Sequence, residues 1–391
     1  MSTREHESLE AQIERLSADF ASTALERDRA GGTAKRERDL LRQSDLLRLS
    51  LPRELGGLEL GWPDTLSVVR RIARVDGSLA HLLAFHHLML ATVRLFGTPE
   101  QYTRLAGQTV EKRWFWGNAL NPLDTRTHAL EVPGGRNVNG AKSFCSGATD
   151  SDMLILSARE EGKPRLLIAA VPTASAGIRV LNDWDNMGQR QTDSGSVELE
   201  NVFIPASDLL DTPGPLSTPF AALRPCLAQL ILANLYLGIA EGALTEARSY
   251  TLGQSRAWYA SGIERPEQDP YVLLHYGNLA VDLAGAAALT DAAGRSLESA
   301  WQRGESLTAP ERGEVAVAIA LAKVATTRAG LEVTNRLFEV TGARATASKA
   351  GLDRYWRNLR THTLHDPVDY KLKDLGRWAL TGEVPTPSFY S

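Results

Sequence analysis

The hydrophobic period changes twice along this chain, and that constrains the fold more than any other feature. Up to about Gly107, apolar residues return every three or four positions. "LEAQIERLSADFASTALERDR" and "DTLSVVRRIARVDGSLAHLLAFHHLMLATVRLFG" predict helices, and "LPRELGGLELGWP" between them has the Gly and Pro punctuation of a loop. From about 111 to 212 the period shortens. "HALEV", "NVNGAKSF", "MLILSA", "RLLIAAV" and "GSVELENVFI" are brief β-leaning runs, and "PGGRNVNG" reads as a hairpin region. Several such strands suggest a compact sandwich or barrel. From Pro219 onward three long helical patterns follow, then a shorter one near Leu352 to Leu380. Their Ala and Gly content lets helices approach closely, as in a bundle. The predicted architecture is α+β and multidomain. It has an N-terminal helical domain (1–110), a central small β-barrel or sandwich (111–215) and a C-terminal four-helix bundle (216–391), with "PGPLSTP" at the second boundary.

The charges nearly cancel, at net −4, so neither a nucleic-acid surface nor an acidic tail is indicated. The longest apolar runs, such as "LAQLILANLYLGIA", read as too short or too interrupted to span a bilayer, and "MSTREHESLEAQIERL" carries no apolar signal core. A soluble, cytoplasmic protein is expected. Cys145 and Cys226 give no disulfide framework and no zinc pattern.

Chemistry-bearing residues are few. "RTHTLHDP" places His362 and His365 three apart, on one face if helical. A metal would need a third ligand that the spacing does not offer. The remaining readings are a structural pair or an acid/base pair titrating near neutrality. His86, in the apolar run "AFHHLML", reads from its setting as a packed core histidine. Ser146, before Gly147, reads as a turn serine, and Asn118 as a strand-end cap. Trp114, Trp116, Phe144 and Trp184 are core or pocket aromatics.

The domain order, together with "NGAKSFCSGATDSD" and "RYWRNLRTHTLHDP", resembles the acyl-CoA dehydrogenase superfamily. "WFWGNA", "FCSGATDSD", "NDWDNMGQRQTDSGS", "LAQLILANLYLGIAEGAL" and "RYWRNLRTHTLHDPVDYK" resemble one branch more closely, the flavin-dependent dibenzothiophene monooxygenases, over nearly the whole chain. That resemblance implies a two-component monooxygenase. It would take reduced flavin from an NAD(P)H-dependent flavin reductase, react it with O2 to a C4a-hydroperoxide, and oxygenate a small aromatic or organosulfur substrate. Sulfur of the thiophene or thioether type is one target; an indole-like ring or an amine nitrogen is another. It further implies His86, Asn118, Ser146, His362 and His365 as catalytic residues. Asn118, Phe144, Ser146, Trp184, Arg256 and Arg344 would hold the flavin. Arg344 stands in "VTGARAT" where the dehydrogenases carry glycines that approach an adenylate, which favours FMN over FAD. A homotetramer is implied as well. The alternative is an acyl-CoA dehydrogenase using FAD, with Asp366 as a shortened base at the family's Glu-Gly position. The tail "TGEVPTPSFYS" is read either as packing on a neighbour near the site or as loose.

Overall fold

The computed structural model describes residues 7–160, 162 and 166–391. Five helices come first: α1 (Leu9–Ala30), α2 (Lys35–Gln43), α3 (Trp62–Ala73), α4 (Gly77–Phe96) and α5 (Pro99–Lys112). The long helical run read over Asp64 to Gly97 is two helices. Asp76 starts the second by accepting the Leu79 amide at 2.9 Å on Oδ1, a side-chain cap that satisfies one of the four unpaired N–H groups at a helix start. Along α4 every residue but Arg94 is buried.

The middle of the chain forms one curled seven-stranded sheet. Its strands are β1 (Trp116–Ala119), β2 (His128–Val132), β3 (Gly135–Lys142), β4 (Met153–Glu160), β5 (Leu166–Pro172), β6 (Ile178–Val180) and β7 (Val197–Pro205). The order is β1-β4-β2-β3-β7-β6, with β5 paired to β4. β2 and β3 are the expected hairpin, turning at Pro133-Gly134, where Gly134 has φ +83°. β1 and β6 are too short to show a period of two in the sequence. Ala129, Val138, Leu154, Leu156, Val197, Val202 and Ile204 form the core inside the curl.

Helices resume with α6 (Leu223–Gln254), α7 (Pro270–Arg303), α8 (Ala309–Thr341), α9 (Asp353–Thr363) and α10 (Val368–Thr381). The fourth helical segment is thus split. Pro367 has no N–H to donate and disfavours helical backbone at Asp366, so the break falls there. α6 packs on α3, α4 and α8. A Cβ added to Gly238 or Gly242 would sit 2.5 or 1.9 Å from the Arg70 or Arg74 carbonyl oxygen of the α3 end, so glycine at these two positions sets the close α3–α6 crossing.

Among the described residues three helical stretches are long and apolar enough to cross a membrane by length and composition, which corrects the expectation of none. For two of them the fold accounts for the composition, since 94% of the α4 window and 89% of the α6 window is buried inside the protein. The α7 window is 17% buried, and Tyr271, Leu273, Leu274 and Val281 face outward. The C-terminal tail packs on this chain's own bundle. Lys371 donates to the Tyr390 carbonyl and Arg312 to the Ser391 carbonyl.

Candidate active site

α4 is the spine on which the site is assembled, and it carries three histidines with different fates. His86 is fully buried. Its Nδ1 accepts the Trp116 amide at 3.2 Å, which puts the ring proton on Nε2, and Nε2 donates to the Leu47 carbonyl at 2.8 Å. His87 donates from Nε2 to the Leu46 carbonyl at 2.8 Å, while its Nδ1 meets Ser50 Oγ at 2.9 Å. Both rings are struts between backbone segments. His81 is different. It is buried, stacks on Phe85 at 4.0 Å and lies 4.8 Å edge-on from the His362 ring. Among the described residues neither nitrogen of His81 has a partner, and neither does either nitrogen of His362. A buried polar group left without a hydrogen bond costs about 1–3 kcal/mol, so two such rings side by side mark a place kept for something else. Burial holds the His81 imidazole down at about 3, with the nearby His365 adding to it. It holds His362 well below the usual range too, with His81 and His365 contributing. Both are neutral at pH 7. The His86 nitrogens are committed to backbone, so they are not open for the acid/base role expected there; on α4 the ring with open nitrogens is His81.

α4 passes under the Phe144–Gly147 loop of the β domain. A Cβ on Gly147 would come within 3.1 Å of Leu82, the neighbour of His81. Ser146 and Asn118 meet there, with the Asn118 amide donating to the Ser146 carbonyl at 2.9 Å. Asn118 Oδ1 accepts the Leu120 amide at 3.0 Å, and Nδ2 has no partner among the described residues. Ser146 Oγ lies 2.8 Å from Ser194 Oγ, which lies 2.8 Å from Thr192 Oγ1. Thr192 in turn donates to the Gln189 carbonyl at 2.9 Å. Hydroxyl protons along this chain run in one direction, leaving the Ser146 oxygen as an acceptor. The Ser146 amide is occupied by the Phe144 carbonyl at 3.0 Å, so the hydroxyl and not this amide is the group left open.

Phe144 is exposed, at 60%, and sits at φ +59°, a conformation that side-chain-bearing residues avoid. Gln189 and Asp193, at +53° and +45°, share that strain in the facing loop. Outliers gathered at one place are a mark of functional sites. The Phe144 ring meets Trp184 edge-on at 6.1 Å, and Trp184 Nε1 donates to the Gln189 carbonyl at 2.7 Å. The Gln189 amide donates to Asn358 Oδ1 at 2.6 Å, which docks this loop on α9, one turn before His362. Arg38, fully buried, clamps the arrangement from behind. It donates to the Gly147 carbonyl at 2.9 Å and to Asp193 Oδ2 at 3.0 Å. Trp116 is core, its Nε1 donating to Thr109 Oγ1 at 2.9 Å.

At the end of α9 the two histidines separate. The His362 carbonyl accepts the His365 amide at 3.1 Å and the Tyr236 hydroxyl at 2.8 Å. The His365 ring lies beyond the helix end, partly exposed, with Nδ1 donating to Asp366 Oδ1 at 3.0 Å. The same oxygen accepts Lys323 Nζ at 3.1 Å and Gln229 Nε2 at 3.3 Å. Burial alone would raise the Asp366 pKa, yet the His365 hydrogen bond and the Lys323 charge hold it well below the carboxylate range. A carboxylate with its oxygen so engaged is a poor acceptor for a substrate proton, which corrects the reading of Asp366 as a base. It holds His365 through Nδ1, and Nε2 has no partner among the described residues.

Arg256 and Arg344 are exposed at the other end of the bundle, where Ser255 Oγ donates to the Thr341 carbonyl at 3.1 Å. No hydrogen bond, ion pair or ring contact among the described residues joins either arginine to Asn118, Ser146, Phe144 or Trp184. Among the described residues no group of three His, Cys, Asp or Glu could hold a metal.

Three family models divide the chain between them: the acyl-CoA dehydrogenase N-terminal domain on residues 3–112, the middle domain on 117–202 and the C-terminal domain on 230–370. A probable FMNH2-dependent monooxygenase, SfnC of Pseudomonas putida, is 58% identical over 377 residues, 96% of this chain and 95% of the relative. The chain belongs to the acyl-CoA dehydrogenase family. Within it, the solved methanesulfinate monooxygenase MsuC of Pseudomonas fluorescens is 57% identical with a TM-score of 0.97, covering 98% of this chain and all of that one. TdsC of Paenibacillus sp. A11-2, solved with FMN and indole, is 42% identical with a TM-score of 0.93, covering 97% and 99%. By contrast, a putative acyl-CoA dehydrogenase of Bacillus subtilis is 24% identical over 372 residues.

Proposed function

We propose that this protein is the oxygenase half of a two-component monooxygenase, taking FMNH2 from a separate NAD(P)H-dependent flavin reductase and using O2 to oxygenate the sulfur of a small organic substrate. The observation that carries the reading is the pair of buried, neutral, unpartnered imidazoles, His81 and His362, beside the Ser146–Ser194–Thr192 hydroxyl chain. The donor set suits FMN: Ser146 Oγ is poised to accept an N–H, Asn118 Nδ2 to donate, and Phe144 with Trp184 to offer an aromatic wall. Arg256 and Arg344 are the cations for its phosphate. Reduced FMN, when bound, supplies the electrons that activate O2.

The protein's own residues do the rest. Phe85, Phe115 and the His81 ring exclude water from the reacting edge, which strengthens every hydrogen bond made there. His81 and His362, being neutral, each offer one N–H and one lone pair. His365, oriented through Nδ1 by Asp366, presents Nε2 to deliver or take a proton. The dehydrogenase alternative needs a free carboxylate, and the Lys323 and His365 contacts deny it one. The outward apolar face of α7 supports pairing with further copies of the chain in a tetramer, since so large an exposed patch is unusual on a monomer.

The test is direct. The protein is mixed anaerobically with chemically reduced FMN, then with O2 and an alkyl sulfinate, a thioether or indole, and products are read by mass. A gain of one oxygen on a sulfur substrate supports the reading. Failure to bind reduced FMN, or bleaching of bound FAD by an acyl-CoA, would overturn it.

A further inference from the structure

Beyond α10 the chain turns back over its own bundle, and three features fit the fold to receive it. Val384 lies where Gly313 of α8 has no side chain: a Cβ there would come within 2.4 Å of Val384 Cγ2. Val384 packs with Val317 and Leu375, and Phe389 packs against the main core. Two buried cations spend donors on the tail's backbone. Lys371 donates to the Tyr390 carbonyl and Arg312 to the Ser391 carbonyl. Last, residues 388–391 close on themselves. The Ser388 amide donates to the Ser391 carbonyl at 3.2 Å, the Ser391 amide to the Ser388 carbonyl at 3.4 Å, and the Tyr390 amide to Ser388 Oγ at 3.2 Å. Tyr390 is thus carried on a closed turn that is fixed from below.

What the turn delivers is an aromatic ring beside the site. The Tyr390 ring lies 5.8 Å from the His365 ring, tilted by 52°. The His365 side chain is 38% exposed, and Asp366 grips it only through Nδ1. An imidazole held by one hydrogen bond can still swing about that bond and meet water; a ring on its flank limits both. Under the tail lies a cavity of about 10 Å³, room for roughly one water. Pro385, Ser391, Lys371 and Asp374 wall it on one side, Cys226 and Gln229 on the other. Gln229 bonds both Asp366, at 3.3 Å, and Lys323, at 2.9 Å. The tail therefore closes off the polar network behind His365 as well as the flank of its ring.

We propose that the tail, residues 383–391, is a wall of the oxygenation site, and that Tyr390 is a positioning residue. It holds the His365 imidazole in the grip of Asp366 and keeps water off it. This rests on the monooxygenase reading above and deepens it. The consequence is coupling, because reduced FMN and O2 have two outcomes. In the productive one, R2S + O2 + FMNH2 → R2SO + FMN + H2O: an S–O bond forms, the O–O bond breaks, and sulfur and flavin each give up two electrons. In the wasteful one, O2 + FMNH2 → FMN + H2O2: the flavin gives two electrons and two protons to oxygen, and the O–O bond survives. Protons leaking in from bulk water favour the second, and closing a site against water suppresses it. With the tail in place, His365 is the group that governs proton delivery from this side.

The experiment compares full-length wild type, Tyr390→Ala and Tyr390→Phe in two arms. The first contains no flavin. Diethyl pyrocarbonate modifies accessible imidazoles, and the peptide carrying His365 is followed by mass against the one carrying His128, which is exposed on β2. Relative to His128, His365 reacts about fivefold faster in Tyr390→Ala and at the wild-type rate in Tyr390→Phe, the scale of one aromatic contact. In the second arm, reduced FMN and O2 are supplied without substrate and the rate of H2O2 release is read. It rises about tenfold in Tyr390→Ala, and phenylalanine restores it. Lys371→Met frees the tail's backbone and alters neither ring; it moves both readings the same way and replaces Tyr390→Ala should that variant not fold. Equal His365 reactivity in wild type and these variants would overturn the proposal, and so would unchanged H2O2 release. Wild type that releases H2O2 as fast as FMNH2 does alone would sink the monooxygenase reading itself, a result that the flavin-free arm cannot produce.

Discussion

Acid should unfold this protein early, because four of its histidines are held neutral by burial. His81 is held near 3 and His87 near 4, and His86 and His362 lie well below 6.5. In the unfolded chain each titrates near 6.5. The sign follows from linkage. A group whose folded pKa is depressed contributes stability that is fully present above its unfolded pKa. That stability is lost as pH falls toward the folded value, because only the unfolded state takes up the proton. The window is therefore from about pH 6.5 down to about pH 4. Each histidine removes about 1.4 kcal/mol per pH unit there, so four remove about 5 kcal/mol per unit and about 8 kcal/mol by pH 5. Against a total stability of about 5–15 kcal/mol, that moves the protein to the edge of unfolding. Asp366 is a separate matter: its folded pKa is also depressed, but its unfolded value near 4 places its loss at lower pH. Urea unfolding from pH 7.5 to 5.0, with proton uptake counted by calorimetry in buffers of different ionisation enthalpy, reads the effect. About three to four protons should be taken up on unfolding near pH 5.5, and His87→Gln should lower that number by one. An unfolding free energy flat to within about 1 kcal/mol across the range would refute the argument, since it would mean the rings charge in place.

Two further outcomes follow from the buried polar contacts. Lys323→Met strips Asp366 of its counter-ion and should cost about 3–5 kcal/mol, whereas the Lys323→Met/Asp366→Asn double variant should regain at least about 1 kcal/mol over the sum of the single effects. Melting temperatures of the four proteins test this, and strict additivity would show that the pair is not coupled. Ser194→Ala breaks the hydroxyl chain that makes Ser146 an acceptor. It should lower turnover about tenfold, the worth of roughly one hydrogen bond, with FMN affinity by fluorescence quenching changed far less. Unaltered turnover would remove the chain from the chemistry.

The helix–strand–helix order was legible because period is a local property, and so were the Pro133-Gly134 hairpin and the loop at Leu51 to Pro63. What misled was also local. The α3–α4 break rests on one capping carboxylate, Asp76, inside an otherwise continuous apolar pattern. His81, His86 and His87 share one apolar helix, and nothing in their spacing says which is free. The answer depends on the Leu47 carbonyl and the Trp116 amide, both remote in sequence. Ser146 and Asn118 were visible as polar residues at strand ends, but the direction of the Ser146 proton is set by Ser194, 48 residues away. Lys323 reads as an ordinary helix lysine until the fold places it against Asp366, 43 residues on.

The Asp366 neighbourhood shows how one fold position changes chemistry without moving. A carboxylate at the end of α9 could in principle take a proton from a bound substrate, and Pro367 fixes it in place for the purpose. Three donors converge on its one oxygen, however, and one of them, Lys323, carries a full positive charge on a helix that cannot turn away. Lengthening Asp366 to glutamate would not free it, because Lys323 would remain within reach, and desolvation would keep the two together. What the anion does instead is transmit. By accepting Nδ1–H it fixes the tautomer of His365, and its own charge works on His362 against that of Lys323.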